Sequence, residues 1–171
     1  MPSTYTLISS NVLGSSAASV TFSAIPSTYT DLVVRASVNQ SGGGTQYLYI
    51  TYNGNTSSVY SNTTLQANGS AASSIRDAAS APTANYGTQI GGTGYDGFNS
   101  FELYVPNYGV SQNKPSSIFN AGEDNASSPV WMNASAMLFA STTAISSIAF
   151  SLGGGNFVSG SSFYLYGIKN S

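Results

Sequence analysis

The segment Asn156-Phe-Val-Ser-Gly-Ser-Ser-Phe-Tyr-Leu-Tyr-Gly-Ile-Lys169 carries the densest apolar and aromatic alternation in the chain. Read as a strand, it sets Phe163, Leu165 and Gly167 on one face and Tyr164, Tyr166 and Ile168 on the other. Successive strand side chains point to opposite sides, so both faces are apolar. A strand apolar on both faces is covered on both. The reading predicts the last central strand of an all-β domain, with Tyr164 and Tyr166 packed in core or against a neighbouring subunit.

Outward from that segment, the same period-2 signal recurs along the chain. Tyr5–Ser9 opens as a short strand, and Ala18, Val20 and Phe22 alternate with Ser19 and Thr21. Leu32, Val34, Ala36 and Val38 alternate with Asp31, Val33, Arg35 and Ser37. Four residues of extended chain separate Asp31 from Arg35 by about 13 Å, so they are not an ion pair within their strand. Tyr47–Asn53 is aromatic and β-branched, and Asn53-Gly54 after it is the strongest short hairpin signal, leading into Ser58-Val-Tyr-Ser61. Phe101, Leu103 and Val105 form a half-buried strand ended by Pro106; Ile118–Gly122, Val130–Ala140 and Ile148–Leu152 follow. Residues 61–99 are Asn-, Ser-, Ala- and Gly-rich, and 71–81 is the one place for a helical turn, although it lacks an apolar stripe. The glycine runs 42–44 and 153–155 lack the Gly-Lys-Ser/Thr ending of a phosphate loop and read as flexible inter-strand turns. About nine short strands at spacings of roughly 8–12 residues define an antiparallel β-sandwich, jelly-roll-like, over a single domain spanning 1–171.

Composition excludes several function classes. The 171-residue chain has no cysteine and no histidine, which removes disulfides, thiolate ligands and the commonest general base. Only 6% of residues are charged, and the four cations, Arg35, Arg76, Lys114 and Lys169, are too few for a phosphate-binding footprint. Nucleic acid is therefore not an expected partner. No stretch approaches the ~20 apolar residues of a membrane helix, and residues 1–6 lack the basic and apolar regions of a signal peptide. The expectation is a protein folded in a cytosol with a surface suited to life outside a cell, a tension that an assembled virus particle resolves.

Catalytic constellations are not in view. The six acids, Asp31, Asp77, Asp96, Glu102, Glu123 and Asp124, show no spacing that marks a glycosidase pair. Glu123-Asp-Asn-Ala-Ser127 offers oxygens to Ca²⁺ but reads more simply as a solvated turn. Without histidine a serine nucleophile would need Lys114 or Lys169, and neither has a motif around it. No enzyme, cofactor or metal site is expected. Six Asn-x-Ser/Thr sequons, at Asn39, Asn55, Asn62, Asn68, Asn125 and Asn133, follow from composition. The tyrosines on strands serve core, subunit interface or a glycan platform.

Several stretches together carry a resemblance: Met1-Pro-Ser-Thr-Tyr-Thr-Leu-Ile-Ser-Ser10, Ile25-Pro-Ser-Thr-Tyr-Thr-Asp-Leu-Val-Val-Arg35, Tyr52-Asn-Gly-Asn55, Tyr104-Val-Pro-Asn-Tyr108, Asn113-Lys-Pro115, Ala121-Gly-Glu-Asp-Asn125 and the closing Asn156–Lys169. On these the whole chain resembles a family of virion structural proteins of tailed bacteriophages, especially those of aquatic bacteria. The resemblance implies a jelly-roll-like module attached to a capsid or tail, with no catalytic residues. The expected role is a capsid decoration (cement or head-fibre) protein, a homotrimer assembled in the host bacterial cytoplasm and resident in the virion. Its partners would be other virion proteins. The alternative is a tail-fibre module binding host glycan. Arg35, Glu102 and Tyr104 as outward strand positions, Tyr108, Asn113 and Lys114 as loop contacts, and Tyr164 and Tyr166 are the expected interface residues.

Overall fold

A computed structural model of the chain describes residues 4–80, 89–91, 97–122 and 131–169. Among these lie twelve strands: β1 (Tyr5–Val12), β2 (Ser19–Phe22), β3 (Asp31–Val38), β4 (Gln46–Tyr52), β5 (Tyr60–Ala67), β6 (Ala72–Ser80), β7 (Gln89–Ile90), β8 (Asn99–Val105), β9 (Lys114–Ala121), β10 (Met132–Phe139), β11 (Ile148–Leu152) and β12 (Ser162–Ile168). They form an eight-stranded sheet, β1-β12-β3-β8-β9-β10-β5-β6, and a four-stranded sheet, β2-β11-β4-β7. Every pairing between them is antiparallel.

The strand order defines the architecture. With β5, β6, β9 and β10 set aside, the first sheet reads first-last-third-sixth and the second reads second-seventh-fourth-fifth. That nesting, outermost strand with outermost and next with next, is the eight-stranded jelly roll. The other four strands are two hairpins, β5–β6 inserted between β4 and β7, and β9–β10 between β8 and β11. They lengthen one sheet by four strands beyond β8. The expected all-β sandwich is present, with twelve strands where the alternation predicted about nine.

The two sheets meet over an apolar core. Phe150 of β11 lies 5.6 Å from Phe101 of β8 and 5.6 Å from Phe163 of β12, ring centre to ring centre. Phe157 packs edge-on against Phe163 at 5.1 Å. Leu32, Val34, Leu48, Ile90, Leu103, Val105, Ile148 and Leu165 fill the space between, all fully buried. Such side chains contribute roughly 1.5–3 kcal/mol each by leaving water. Tyr60 and Phe139 stack at 5.0 Å, with Tyr52 against both, where the extension joins the roll.

Beyond that junction the extension inverts the usual rule. Asn62, Thr64 and Gln66 of β5, Ser116 and Asn120 of β9, and Asn133 and Ser135 of β10 are buried, beside the single apolar Ile118 of β9. Leu65 and Phe119 face out. The inward polar groups bond to one another, Thr64 to Ser135 at 2.8 Å and Asn133 Nδ2 to Asn120 Oδ1 at 2.8 Å. Gln66 Oε1, Asn133 Oδ1 and Asp77 Oδ2 are buried acceptors that no donor among the described residues reaches.

Several local expectations change. β12 has neighbours on both sides, but it sits second from the edge, covered by β1. Asn53 and Gly54 both take positive φ, 54° and 63°, as a tight turn requires. They do not close a hairpin, because β4 and β5 belong to different sheets. Asn53 is instead held to the 144–147 loop, its amide donating to Ala144 O at 2.8 Å and accepting from Ser146 N at 2.8 Å. Residues 72–80, the one candidate for a helical turn, are strand β6. The glycine runs meet at Gly42 and at 153–155, which are closely packed, while Gly43 and Gly44 face open space. A Cβ on Gly155, whose φ is +70°, would lie 2.6 Å from the backbone nitrogen of Gly42, so the two turns touch where only hydrogen fits. Asn62 and Asn133, two of the sequon asparagines, are buried.

Candidate interaction surface

The outward face of the eight-stranded sheet gathers most of the residues expected to make contacts. β3–β8 pairing sets Arg35 opposite Glu102, and β12–β3 pairing sets Tyr164 beside Arg35 and Tyr166 beside Val33, itself opposite Tyr104. These five form one contiguous cluster. Arg35 Nε donates to Glu102 Oε2 at 2.7 Å, with the two side chains 56% and 46% exposed. An exposed pair of this kind is worth no more than about 1 kcal/mol. The guanidinium also lies 5.5 Å from the ring centre of Tyr5, which meets Tyr166 edge-on at 6.2 Å. Glu102, by hydrogen bond and charge, holds the Arg35 pKa above its ordinary value. Asp31, two pleats from Arg35 on β3, is buried; it accepts from Tyr104 Oη at 2.9 Å and from the Asn107 amide at 2.8 Å.

Two expected contact residues are not at the surface. Tyr108 is fully buried, its hydroxyl donating to Pro26 O. Lys114 is fully buried as well, opening β9 rather than lying in a loop. Its ammonium donates to the carbonyl oxygens of Val110, Gln112 and Thr142, tying the β8–β9 turn to the segment after β10. In a chain with little charge, both side chains serve to satisfy backbone carbonyls. Asn113 is exposed in the 106–113 turn, outside the Arg35 cluster's strands.

The face also holds contacts that alternation did not reveal. Among the described residues eight large apolar side chains are exposed: Tyr5, Leu7, Val12, Leu65, Phe98, Val110, Phe119 and Met132. Six lie on this face, at its two ends. Leu65, Phe119 and Met132 stand on β5, β9 and β10 around small Ala134 and Ala136. A trough of about 370 Å³ runs between Leu65, Phe119 and Tyr104 over that floor. Tyr5, Leu7 and Val12 stand on β1, opposite Ile168, Tyr166 and Ser162. Leu7 and Val12 are five apart and in a regular strand would point to opposite sides. A bulge between Leu7 and Ser9 adds the residue that restores the phase, so both face out. No sequence signal announces that bulge.

Among the described residues no three His, Cys, Asp or Glu side chains gather where they would hold a metal ion, and no helix is long and apolar enough to cross a membrane. The Glu123-Asp124 cluster lies outside the described residues. No protein-family model matches the chain, and no curated protein matches it as a relative.

Proposed function

We propose that this protein is a structural component of a bacteriophage virion, a capsid decoration protein that binds the particle surface as a homo-oligomer, a trimer where local three-fold axes of the capsid set the copy number. The observation that carries the reading is the outward face of the eight-stranded sheet. Among the described residues it holds an aromatic cluster, an internally satisfied ion pair and six exposed apolar side chains. Monomeric proteins rarely leave such a surface in water, and a rigid all-β module suits a role that consists of being bound. The whole-chain resemblance to phage virion proteins and a jelly roll, the architecture also of many capsid domains, support it further. Copy number in purified virions tests it. Hundreds of copies per particle, located on the capsid by cryo-electron microscopy, are expected; absence from the particle refutes it.

One observation favours a second reading. The Tyr5, Tyr166 and Arg35 arrangement presents ring faces and edges beside a carboxylate, the chemistry that holds a sugar ring by stacking and hydrogen bonding. A tail-fibre module binding host glycan would appear in a few dozen copies or fewer and would retain host polysaccharide. Retention lost in a Tyr166→Ala variant would favour it over decoration.

A further inference from the structure

We infer that the outward face of the eight-stranded sheet is buried against a second copy of this chain, its two apolar ends being the points of contact. The inference rests on the homo-oligomer part of the reading above and not on the virion.

Three observations specify the occupant. The first is size. Eight strands about 4.8 Å apart and seven to nine residues long at about 3.4 Å each give a face of roughly 1,000 Å². A stable interface needs roughly 800 Å² per partner. The second is charge. Arg35 and Glu102 cancel within the chain, and among the described residues this face otherwise holds only Asp31, buried under Tyr104, and Arg76 on β6, opposite Thr63, one charge of each sign. Nothing there selects a strongly charged partner. A chain with 6% charged residues, presenting the same neutral face, is itself a partner of the required chemistry. The third is the placement of the apolar groups. Leu7 and Val12 stand at one lateral end and Leu65, Phe119 and Met132 at the other, with the polar aromatic strip between. A second copy turned over on the first sets one end on the other, knobs of Leu7 and Val12 over the floor of Ala134 and Ala136. Because each copy owns both ends, the turned-over contact is isologous and closes as a pair, leaving any three-fold assembly to another surface. The bulge that turns Val12 outward has a purpose on this reading, since an unbulged β1 would split its apolar side chains between two faces.

The absence of cysteine makes the test clean. Mass measurement by light scattering or sedimentation should find the wild-type chain self-associated. Phe119→Asp and Val12→Asp, both at exposed positions, should each yield a folded monomer. Val110→Asp, which removes an exposed apolar group in a turn off this face, should leave association unchanged. A chain carrying both Val12→Cys and Phe119→Cys should form intermolecular disulfides under mild oxidation. A wild-type chain monomeric up to about 100 µM, weaker than an interface of this size gives, overturns the inference. So does an oligomer that survives both Asp substitutions, or one that Val110→Asp disrupts equally. Virion copy number is a separate measurement, so failure here leaves the decoration reading to its own test.

Discussion

Gly167 shows how one residue can be dictated by a side chain far away in sequence. A strand interior weakens with glycine, yet a Cβ here would lie 2.3 Å from Cγ of Tyr29. The ring of Tyr29 occupies the place of the missing side chain. Gly167→Ala should therefore destabilise the fold by about 1–3 kcal/mol through overpacking. In denaturant titrations the loss should shrink when Tyr29 is also truncated to Ala, the coupling expected of two groups in contact. Lys114 is the second case. Removing its ammonium strands three carbonyl oxygens at a buried position, so Lys114→Met should cost about 1–3 kcal/mol although it replaces a cation by an apolar group of similar length. The measurement is the shift in denaturation midpoint at constant slope. No alternation rule marks Lys114 or Tyr108 as interior; only the carbonyls they meet, supplied by remote turns, place them there.

Elements differ in how openly they declare themselves. β3, β8, β11 and β12 were legible because their apolar residues fall every second position and point into the core between the sheets. β10, within Val130–Ala140, and the second half of β9, from Ile118, were legible too, whereas β5 and β6 were not: β5 turns Asn62, Thr64 and Gln66 inward and Leu65 out, and β6 lies in the stretch that offered a helical turn. Periodicity reports two faces without saying which one is buried, and here the polar one is. The Arg35–Glu102 cluster was partly visible, since both residues sit at outward positions, but the register that joins them across strands was not. The extension's physical consequence is lower local stability. It replaces apolar burial with hydrogen bonds whose net worth is about 1 kcal/mol each, and it retains buried acceptors without donors. Native-state hydrogen exchange should find the slowest amides in β3, β8 and β12, and faster exchange by sub-global opening in β5 and β6. Uniform protection across all eight strands would contradict this.

For the molecule as a whole, phenols dominate the response to alkali. Burial raises the pKa of Tyr52, Tyr60 and Tyr108, and burial with the hydrogen bond to Asp31 raises that of Tyr104. The unfolded chain releases those protons near pH 10, whereas the folded chain keeps them. The folded state then binds more protons, so its stability, fully present below pH 10, falls as pH rises through and beyond it. Lys114 acts oppositely, because burial lowers its pKa and the folded state binds fewer protons in the window below 10.5. One group against four leaves the fall dominant. Denaturation midpoints measured from neutral pH upward should drop above pH 10, with part of the phenolate absorbance appearing only on unfolding. A different consequence follows from the pairing of β12 with both β1 and β3. The strand that joins them ends at Ile168, so during synthesis two strands made early wait for one made late. Their hydrogen-bonding edges stay open until residue 168 has left the ribosome, and the domain closes in a slow, non-local step. For a chain with so few charges to keep exposed strands apart, that interval is when chaperones matter most.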